Sequence, residues 1–275
     1  MLKERGSFEA RGNVAVIRIL HDMLDTHIIF YLIIGAAAGG FINGLSGTGT
    51  ALFALGFYLA VLDPTTSVLM VALLAILVGV QGLFIVRHSI FANPARSLHF
   101  TVSGLVGVPI GLMLLNKIDV NNLKIIVAAF LILYGVYFGF RSSLPTIEKK
   151  TPIIDTLIAF IGGTLGGAAA LSGAVPQIWL SLRPWPKSEV RAMLQPFNFA
   201  VLGTTSIILL LAGNFDKKLL FGLVITLPVG YLSAQLGLYI FKLIDDILYR
   251  RTLVILTLCM GVVTLSSTNF LPSLS

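Results

Sequence analysis

The chain has 275 residues, of which 56% are hydrophobic and only 11% are charged, and its mean hydropathy is +0.95. Soluble domains carry roughly 25% charged residues, so this composition excludes an ordinary soluble domain. The formal net charge of +7 does not predict a nucleic-acid partner, because the basic residues punctuate apolar segments and form no continuous face; lipid headgroups are the expected counter-charge.

The N-terminal segment, residues 1–26, differs from the rest of the chain. It is polar and lacks a long apolar core, so it is not a secretory signal peptide. The stretch VAVIRILHDML within it predicts a short amphipathic helix lying at the membrane surface. An equally open interpretation is that Met23 is the true start of the protein.

The remainder of the chain predicts an all-α, polytopic membrane protein. It contains eight runs without Asp, Glu, Lys or Arg, and at least six are long enough to cross a bilayer, since about 20 apolar residues span its hydrocarbon core. A large soluble helical protein is disfavoured, because its helices would need charged outer faces. The runs are 26–62, 64–86, 97–116, 125–140, 156–182, 192–215, 219–241 and 252–275.

An internal repeat divides these runs into two halves. The tripeptide LSG at 45–47 recurs at 171–173, and the same offset of 126 residues pairs Asp63 with Glu189. Further along, VPIG in the first half has LPVG as its counterpart in the second. Such two-fold repeats with matching interruptions are typical of secondary transporters.

The predicted organisation is a first transmembrane repeat at 27–140, a charged linker at 141–152 and a second transmembrane repeat at 153–275, after the tail at 1–26. Two topologies remain open. Five helices per half give inverted halves (5+5), because an odd number of crossings reverses the orientation; four crossings per half give parallel halves (4+4). We favour the inverted arrangement.

Each LSG predicts a broken or re-entrant pair of helices. The runs that contain it are too short for two full crossings and a turn, which need more than about 40 residues. The loop between the helices should therefore dip into the membrane, where irregular backbone is tolerated only if protein buries it or it lines a cavity.

The composition of these breaks predicts an anion site. Glycine lets the backbone approach a solute closely, and Ser46, Thr48 or Thr50 can cap the helix that follows. The free N–H groups and the positive dipole end of a helix bind anions without a buried lysine or arginine. The predicted substrate-binding residues are Ser46, Gly47, Thr48 and Gly49 in the first half and Ser172, Gly173 and Ala174 in the second.

The flanking runs GAAAGG and GGTLGGAAA favour a different interpretation. Small residues spaced four apart are common where membrane helices pack closely, so these runs predict helix packing rather than binding. For the LSG loops, the repeated serine and the short flanking runs favour a site.

Polar residues after the second break supply further candidates. Gln195 and Asn198 are predicted as secondary contacts to the substrate. Arg191 lies four residues before Gln195, on the same helical face. It is either an interfacial arginine whose side chain reaches lipid headgroups or an arginine that recruits anions above the site.

Several other side chains have structural and functional interpretations. Asp63 and Glu189 occupy equivalent positions and are either solvated loop charges, which we favour, or proton-carrying gates. The glutamines Gln81 and Gln235 lie deep in apolar runs and predict hydrogen bonds between helices. Among the aromatic residues, Tyr58 and Tyr249 suit the aromatic belts of a membrane interface.

The first break lies within GGFINGLSGTGTALFAL, and the second opens SGAVPQIWLSLRPWPKSEVRAMLQPFNF, which has a Gly/Pro turn, a tryptophan and an RA-x-x-Q-x-F segment. The first motif resembles the glycine-rich opening of the sulfite exporter TauE/SafE family and the second resembles a branch of that family, and the resemblance covers nearly the whole chain from about residue 28. The chain departs from the family at 48–50 and 174–176, where three consecutive glycines are common. The resemblance implies a permease for sulfite, sulfonates or related small anions, usually an exporter in the cytoplasmic membrane.

The leading hypothesis is a multi-pass secondary transporter for a small oxyanion that works by alternating access and is coupled to protons. No enzymatic activity, cofactor or metal site is predicted, because no charge-free run holds a carboxylate and the histidines lack metal-ligand spacing. The alternatives are a non-transporting membrane scaffold or assembly subunit, and a passive anion channel.

Overall fold

The computed structural model describes residues 26–115, 117 and 146–269, together with scattered residues between 121 and 136. The predicted N-terminal surface helix and the alternative start at Met23 therefore lie outside the described residues. So do the first residues of the charged linker, up to 145, and much of the apolar run 125–140.

The described residues form nine helices and no strand, which confirms the all-α prediction. Six of these helices, α1, α3, α4, α5, α7 and α8, are long and apolar enough to cross a membrane, as expected of a multi-pass membrane protein. The helices are α1 (Thr26–Ser46), α2 (Thr50–Leu59), α3 (Pro64–Ala92), α4 (Pro94–Leu115), α5 (Pro152–Ala169), α6 (Ala174–Ser181), α7 (Lys187–Leu211), α8 (Lys217–Leu243) and α9 (Asp246–Asn269).

The starts of the helices follow from local chemistry. α3, α4 and α5 each begin with proline, whose missing N–H is not needed in the first turn of a helix. Asp63 caps α3 by accepting a hydrogen bond from the N–H of Thr66 at 3.0 Å. Asp216 caps α8 in the same way, with the N–H of Leu219 at 2.8 Å.

Helices from the two halves pair with each other. The first helix of the first half, α1, packs most extensively against α8, and the first helix of the second half, α5, packs most extensively against α4. α3 packs against α7, which holds the corresponding place in the second half. Both breaks therefore lie between elements of different halves.

Glycines permit this close pairing. A Cβ atom on Gly40 of α1 would lie 2.3 Å from the carbonyl oxygen of Gly230 of α8. In the second pair, a Cβ atom on Gly163 of α5 would lie 1.8 Å from the carbonyl oxygen of Gly104 of α4. The backbones meet without intervening side chains, so the packing predicted for GAAAGG and GGTLGGAAA is confirmed.

Of two further structural predictions, one is confirmed and the other is wrong. The prediction that glutamines join helices is confirmed, because Gln235 Nε2 on α8 donates a hydrogen bond of 2.5 Å to Gln81 Oε1 on α3. The assignment of Tyr58 and Tyr249 to an interfacial belt is wrong, since both side chains are fully buried. Tyr58 is enclosed because its ring packs against α1 at Gly35, where a Cβ atom would approach it to 2.6 Å.

Candidate functional site

The first break reverses the chain within three residues. α1 ends at Ser46 and α2 begins at Thr50. Between them, Gly47 and Gly49 have φ angles of 81° and 91°, in the left-handed region that only glycine enters readily. The LSG-T-G sequence therefore turns where other residues would be strained.

The second break uses a different left-handed residue. α5 ends at Ala169 and α6 begins at Ala174. Here Ala170 has a φ angle of 55°, the only positive φ of a residue other than glycine in the part of the chain described. Both repeats thus contain a long helix, a short irregular loop at LSG and a helix of ten residues or fewer.

The two breaks lie against each other. A Cβ atom on Gly173 would fall 1.6 Å from Thr48 Oγ1. Asn198 of α7 joins them further, because its Nδ2 donates to the carbonyl oxygen of Gly47 at 3.1 Å. Its Oδ1 accepts a hydrogen bond of 2.7 Å from Ser172 Oγ. Residues predicted from separate halves of the sequence are thus brought into one cluster.

The predicted side-chain caps are wrong. Neither α2 nor α6 has a side-chain cap. Ser46 Oγ instead lies 3.0 Å from the carbonyl oxygen of Ile42, one turn earlier in its own helix, and 2.8 Å from that of Thr48. Thr50 Oγ1 accepts a hydrogen bond of 2.8 Å from Asn43 Nδ2. The first N–H groups of both short helices are thus left without a side-chain partner.

A small cavity of about 20 Å³ lies between the breaks. A cavity of roughly 10–15 Å³ can hold one water molecule, so this one is too small for an oxyanion of several heavy atoms. Of the predicted substrate-binding residues, Gly47, Thr48, Gly49, Ser172, Gln195 and Asn198 line it, whereas Ser46, Gly173 and Ala174 do not.

Arg191 is buried at the first break, with 1% of its surface exposed. Its Nη1 donates to the carbonyl oxygens of Gly44 at 2.7 Å and Leu45 at 3.3 Å, and its Nη2 donates to that of Asn43 at 3.3 Å. These carbonyls belong to the last turn of α1, where a helix leaves carbonyl groups without a donor; the Asn43 oxygen also accepts a hydrogen bond of 2.8 Å from the N–H of Gly47. The interpretation of Arg191 as an interfacial arginine is wrong, because the broken helix end holds the guanidinium inside the protein.

No carboxylate neutralises Arg191 within the described part of the chain. The ion pairs there are Arg96–Glu189 at 2.6 Å and Arg183–Asp155 at 2.7 Å. The guanidinium carbon of Arg191 lies 4.6 Å above the ring of Phe241, a cation–π contact. Carbonyl dipoles and an aromatic face thus surround a buried positive charge.

Gln195 lies one turn after Arg191 and faces the cavity. Its Nε2 donates to the carbonyl oxygen of Gly79 at 2.7 Å. Because that carbonyl can only accept, it sets the orientation of the amide and directs Oε1 away from Gly79. Oε1 is buried without a hydrogen-bond donor among the described residues. It lies 2.5 Å from the place a Cβ atom on Gly47 would occupy.

Asp63 and Glu189 both lie at helix starts and do not line the cavity. Glu189 forms its ion pair with Arg96 in the first turn of α7. Burial alone would raise the pKa of Asp63, but hydrogen bonds from Thr66 and the charge of Lys218 outweigh it and lower the pKa. These contacts favour a structural role for both carboxylates.

Three site residues were missed from the sequence: Asn43, Phe241 and Tyr249. Asn43 Nδ2 bonds Thr50 Oγ1 and also reaches the carbonyl oxygen of Ala75 at 3.2 Å. It was visible as a lone amide just before LSG. Tyr249, whose hydroxyl donates to the carbonyl oxygen of Ser46 at 3.4 Å, carries no such signal, because α9 reaches the break only through tertiary packing.

Comparison with known proteins identifies the family of the chain. The family model described as Sulfite exporter TauE/SafE matches residues 31–264. Among curated proteins and solved structures, none matches the chain. The matched region contains both breaks and every residue that lines the cavity. The chain therefore belongs to the sulfite exporter TauE/SafE family of membrane transporters.

Proposed function

We propose that this protein is a secondary transporter for a small oxyanion, such as sulfite or an organosulfonate, which binds between the two breaks. The observation that carries the proposal is the buried charge of Arg191. Burying a cation is unfavourable unless a counter-charge or several hydrogen bonds compensate for it. Carbonyl oxygens pair with Nη1 and Nη2 of the guanidinium, but its Nε is buried without a hydrogen-bond acceptor and no carboxylate pairs with it among the described residues, so a bound anion supplies the missing counter-charge.

The groups around the cavity can hold the anion by hydrogen bonds. The uncapped N-terminus of α2 lines the cavity at Gly49, Thr50 and Ala51 and offers N–H donors there. The hydroxyls of Thr48 and Ser172 and the amide of Asn198 line the same space and can orient the oxygens of the anion. Arg191 does not line the cavity itself but lies beside Gly47, which does, and burial strengthens its attraction for an anion there.

Alternating access accounts for the small volume of the cavity. An oxyanion can enter only if the contacts that close the breaks open, so we interpret this conformation as closed. We propose that the repeats at 27–140 and 153–275 are inverted, and that rocking one half against the other opens the site to each side in turn. The pairing of α1 with α8 and of α5 with α4 supports this two-fold arrangement. We place the protein in the cytoplasmic membrane, with protons as the coupled ion.

Counterflow in proteoliposomes tests the proposal. Vesicles loaded with unlabelled sulfite should accumulate radiolabelled sulfite transiently and saturably. Arg191→Met should reduce the initial rate at least tenfold, since it removes the proposed counter-charge. The matched control is Arg96→Gln, which removes a cation near the same end of α7 but lies 38% exposed and outside the breaks. It should retain most of the rate.

Each alternative predicts a different result. A scaffold or assembly subunit gives no flux above protein-free vesicles. A passive channel gives flux without transient accumulation. Equal rates for the Arg191→Met variant and the wild type would show that the anion does not bind at the breaks.

A further inference from the structure

We infer that the bound anion carries its own proton: the site is built for a hydrogen-bearing monoanion, of which hydrogen sulfite is an example, and Gln195 selects it. This inference rests on the proposed function and specifies the chemical form of the substrate. It distinguishes hydrogen sulfite from the sulfite dianion and from sulfonates, which have a similar oxygen arrangement but no O–H group.

The first support is the unused acceptor of Gln195. Gln195 is only 4% exposed, and its Oε1 is buried without a hydrogen bond from any described residue. The hydrogen bond to Gly79 prevents the amide from presenting Nε2 instead. A buried acceptor without a donor is unfavourable. A sulfite dianion or a sulfonate would bring only further acceptors, whereas the O–H group of a protonated oxyanion satisfies it.

The second support is the charge of the cluster. The C-termini of α1 and α5 and the N-termini of α2 and α6 all lie at the breaks. Helix ends carry about half an elementary charge each, so these opposite contributions largely cancel. Arg191 remains, with one positive charge. A monoanion balances it, whereas a dianion would leave excess negative charge in a buried site.

The third support is the lack of a proton acceptor at the cavity. Among the described residues that line the cavity, none is a carboxylate, histidine, lysine or cysteine. The titratable groups beside the break are Arg191 of α7 and Tyr249 of α9. Arginine and tyrosine side chains ordinarily keep one charge state between about pH 5 and 8. A proton that accompanies the anion therefore stays on the anion.

The test is counterflow of radiolabelled sulfite at a series of pH values, equal on both sides of the vesicle so that no proton gradient contributes. The wild-type KM for total sulfite should rise in inverse proportion to the fraction present as hydrogen sulfite. Methanesulfonate, a monoanion without an O–H group, should compete at least tenfold more weakly than sulfite under conditions where hydrogen sulfite predominates.

Gln195→Met should remove the discrimination between these two anions. The control is Gln81→Met, which changes a membrane glutamine that pairs with Gln235 and does not line the cavity. It should keep the discrimination. The pH series uses the wild type alone and remains decisive even where a variant does not fold.

A KM that does not change with pH, or equal competition by methanesulfonate, would overturn the inference and leave the proposed function intact. Discrimination that persists in a folded Gln195→Met variant would exclude Gln195 as its source. Absence of saturable sulfite counterflow by the wild type at every pH would instead count against the proposed function.

Discussion

Gly173 touches Thr48 so closely that no side chain fits between them: a Cβ atom on Gly173 would fall 1.6 Å from Thr48 Oγ1. The two residues belong to different LSG breaks and are 125 positions apart in the numbering. Their contact sets the distance between the start of α6 and the loop before α2. The shape of the proposed anion site therefore depends on a glycine that does not itself line the cavity.

Gly173→Ala should separate the two breaks. We expect a loss of about 1–3 kcal/mol in the free energy of unfolding, because the new methyl group overpacks a filled space, and a fall of at least tenfold in the counterflow rate. Thermal unfolding in detergent and sulfite counterflow measure the two effects. The matched control is Gly203→Ala in α7, where a Cβ atom meets nothing within 4 Å. A Gly173→Ala protein as stable and active as this control would show that the contact is not needed.

Arg191→Lys should separate the charge of Arg191 from its geometry. Lysine keeps the positive charge but cannot reproduce the fork that binds the carbonyls of Asn43, Gly44 and Leu45. We expect a loss of about 1–3 kcal/mol of stability from unsatisfied buried groups, together with a raised KM for sulfite. If the unfolding temperature and the KM do not change, then neither the packing of α7 against the end of α1 nor sulfite binding depends on these hydrogen bonds.

Asn198→Ala should lower the free energy of unfolding more than Ser172→Ala does. Asn198 bonds both Gly47 and Ser172, whereas Ser172→Ala removes only the second of these hydrogen bonds. Each buried hydrogen bond contributes about 0.5–1.5 kcal/mol, so the effects should differ by about that amount. A double-mutant cycle of unfolding free energies isolates the Ser172–Asn198 term. A coupling energy near zero would contradict the conclusion that Asn198 joins the two breaks through its hydrogen bond with Ser172.

Asp63→Ala should destabilise the protein by about 1 kcal/mol at neutral pH, the usual contribution of an N-terminal cap. Because the pKa of Asp63 is lowered in the folded protein, the charged carboxylate stabilises the fold above the ordinary aspartate pKa. This stabilisation is lost as the pH falls below about 4.

The difference in unfolding temperature between wild type and Asp63→Ala should therefore shrink over that acidic range. Asp216→Ala, which removes the equivalent cap of α8, is the matched comparison for the loss at neutral pH. A difference that grows in acid would contradict the sign of the pKa shift.

Much of the candidate site could be predicted from local sequence patterns. The LSG repeat identified both breaks, and the polar face of α7 identified Gln195 and Asn198 as residues near them. The predicted caps failed because serine and threonine hydroxyls can bond to the preceding turn as readily as to the next helix, and local sequence does not decide between the two. The fate of Arg191 was equally ambiguous, since a long side chain near a helix end can reach lipid or protein.

By itself the sequence determined the membrane environment, the helical class and the places where the helices break, because hydrophobic length, charge and glycine content act on a chain locally. Only the tertiary structure decided that the breaks meet, that Arg191 turns inward to end α1, and that Tyr249 and Phe241 join the cluster. These contacts connect residues far apart in sequence. They exist because glycines let helices of different halves approach backbone to backbone, a relationship that no single segment contains.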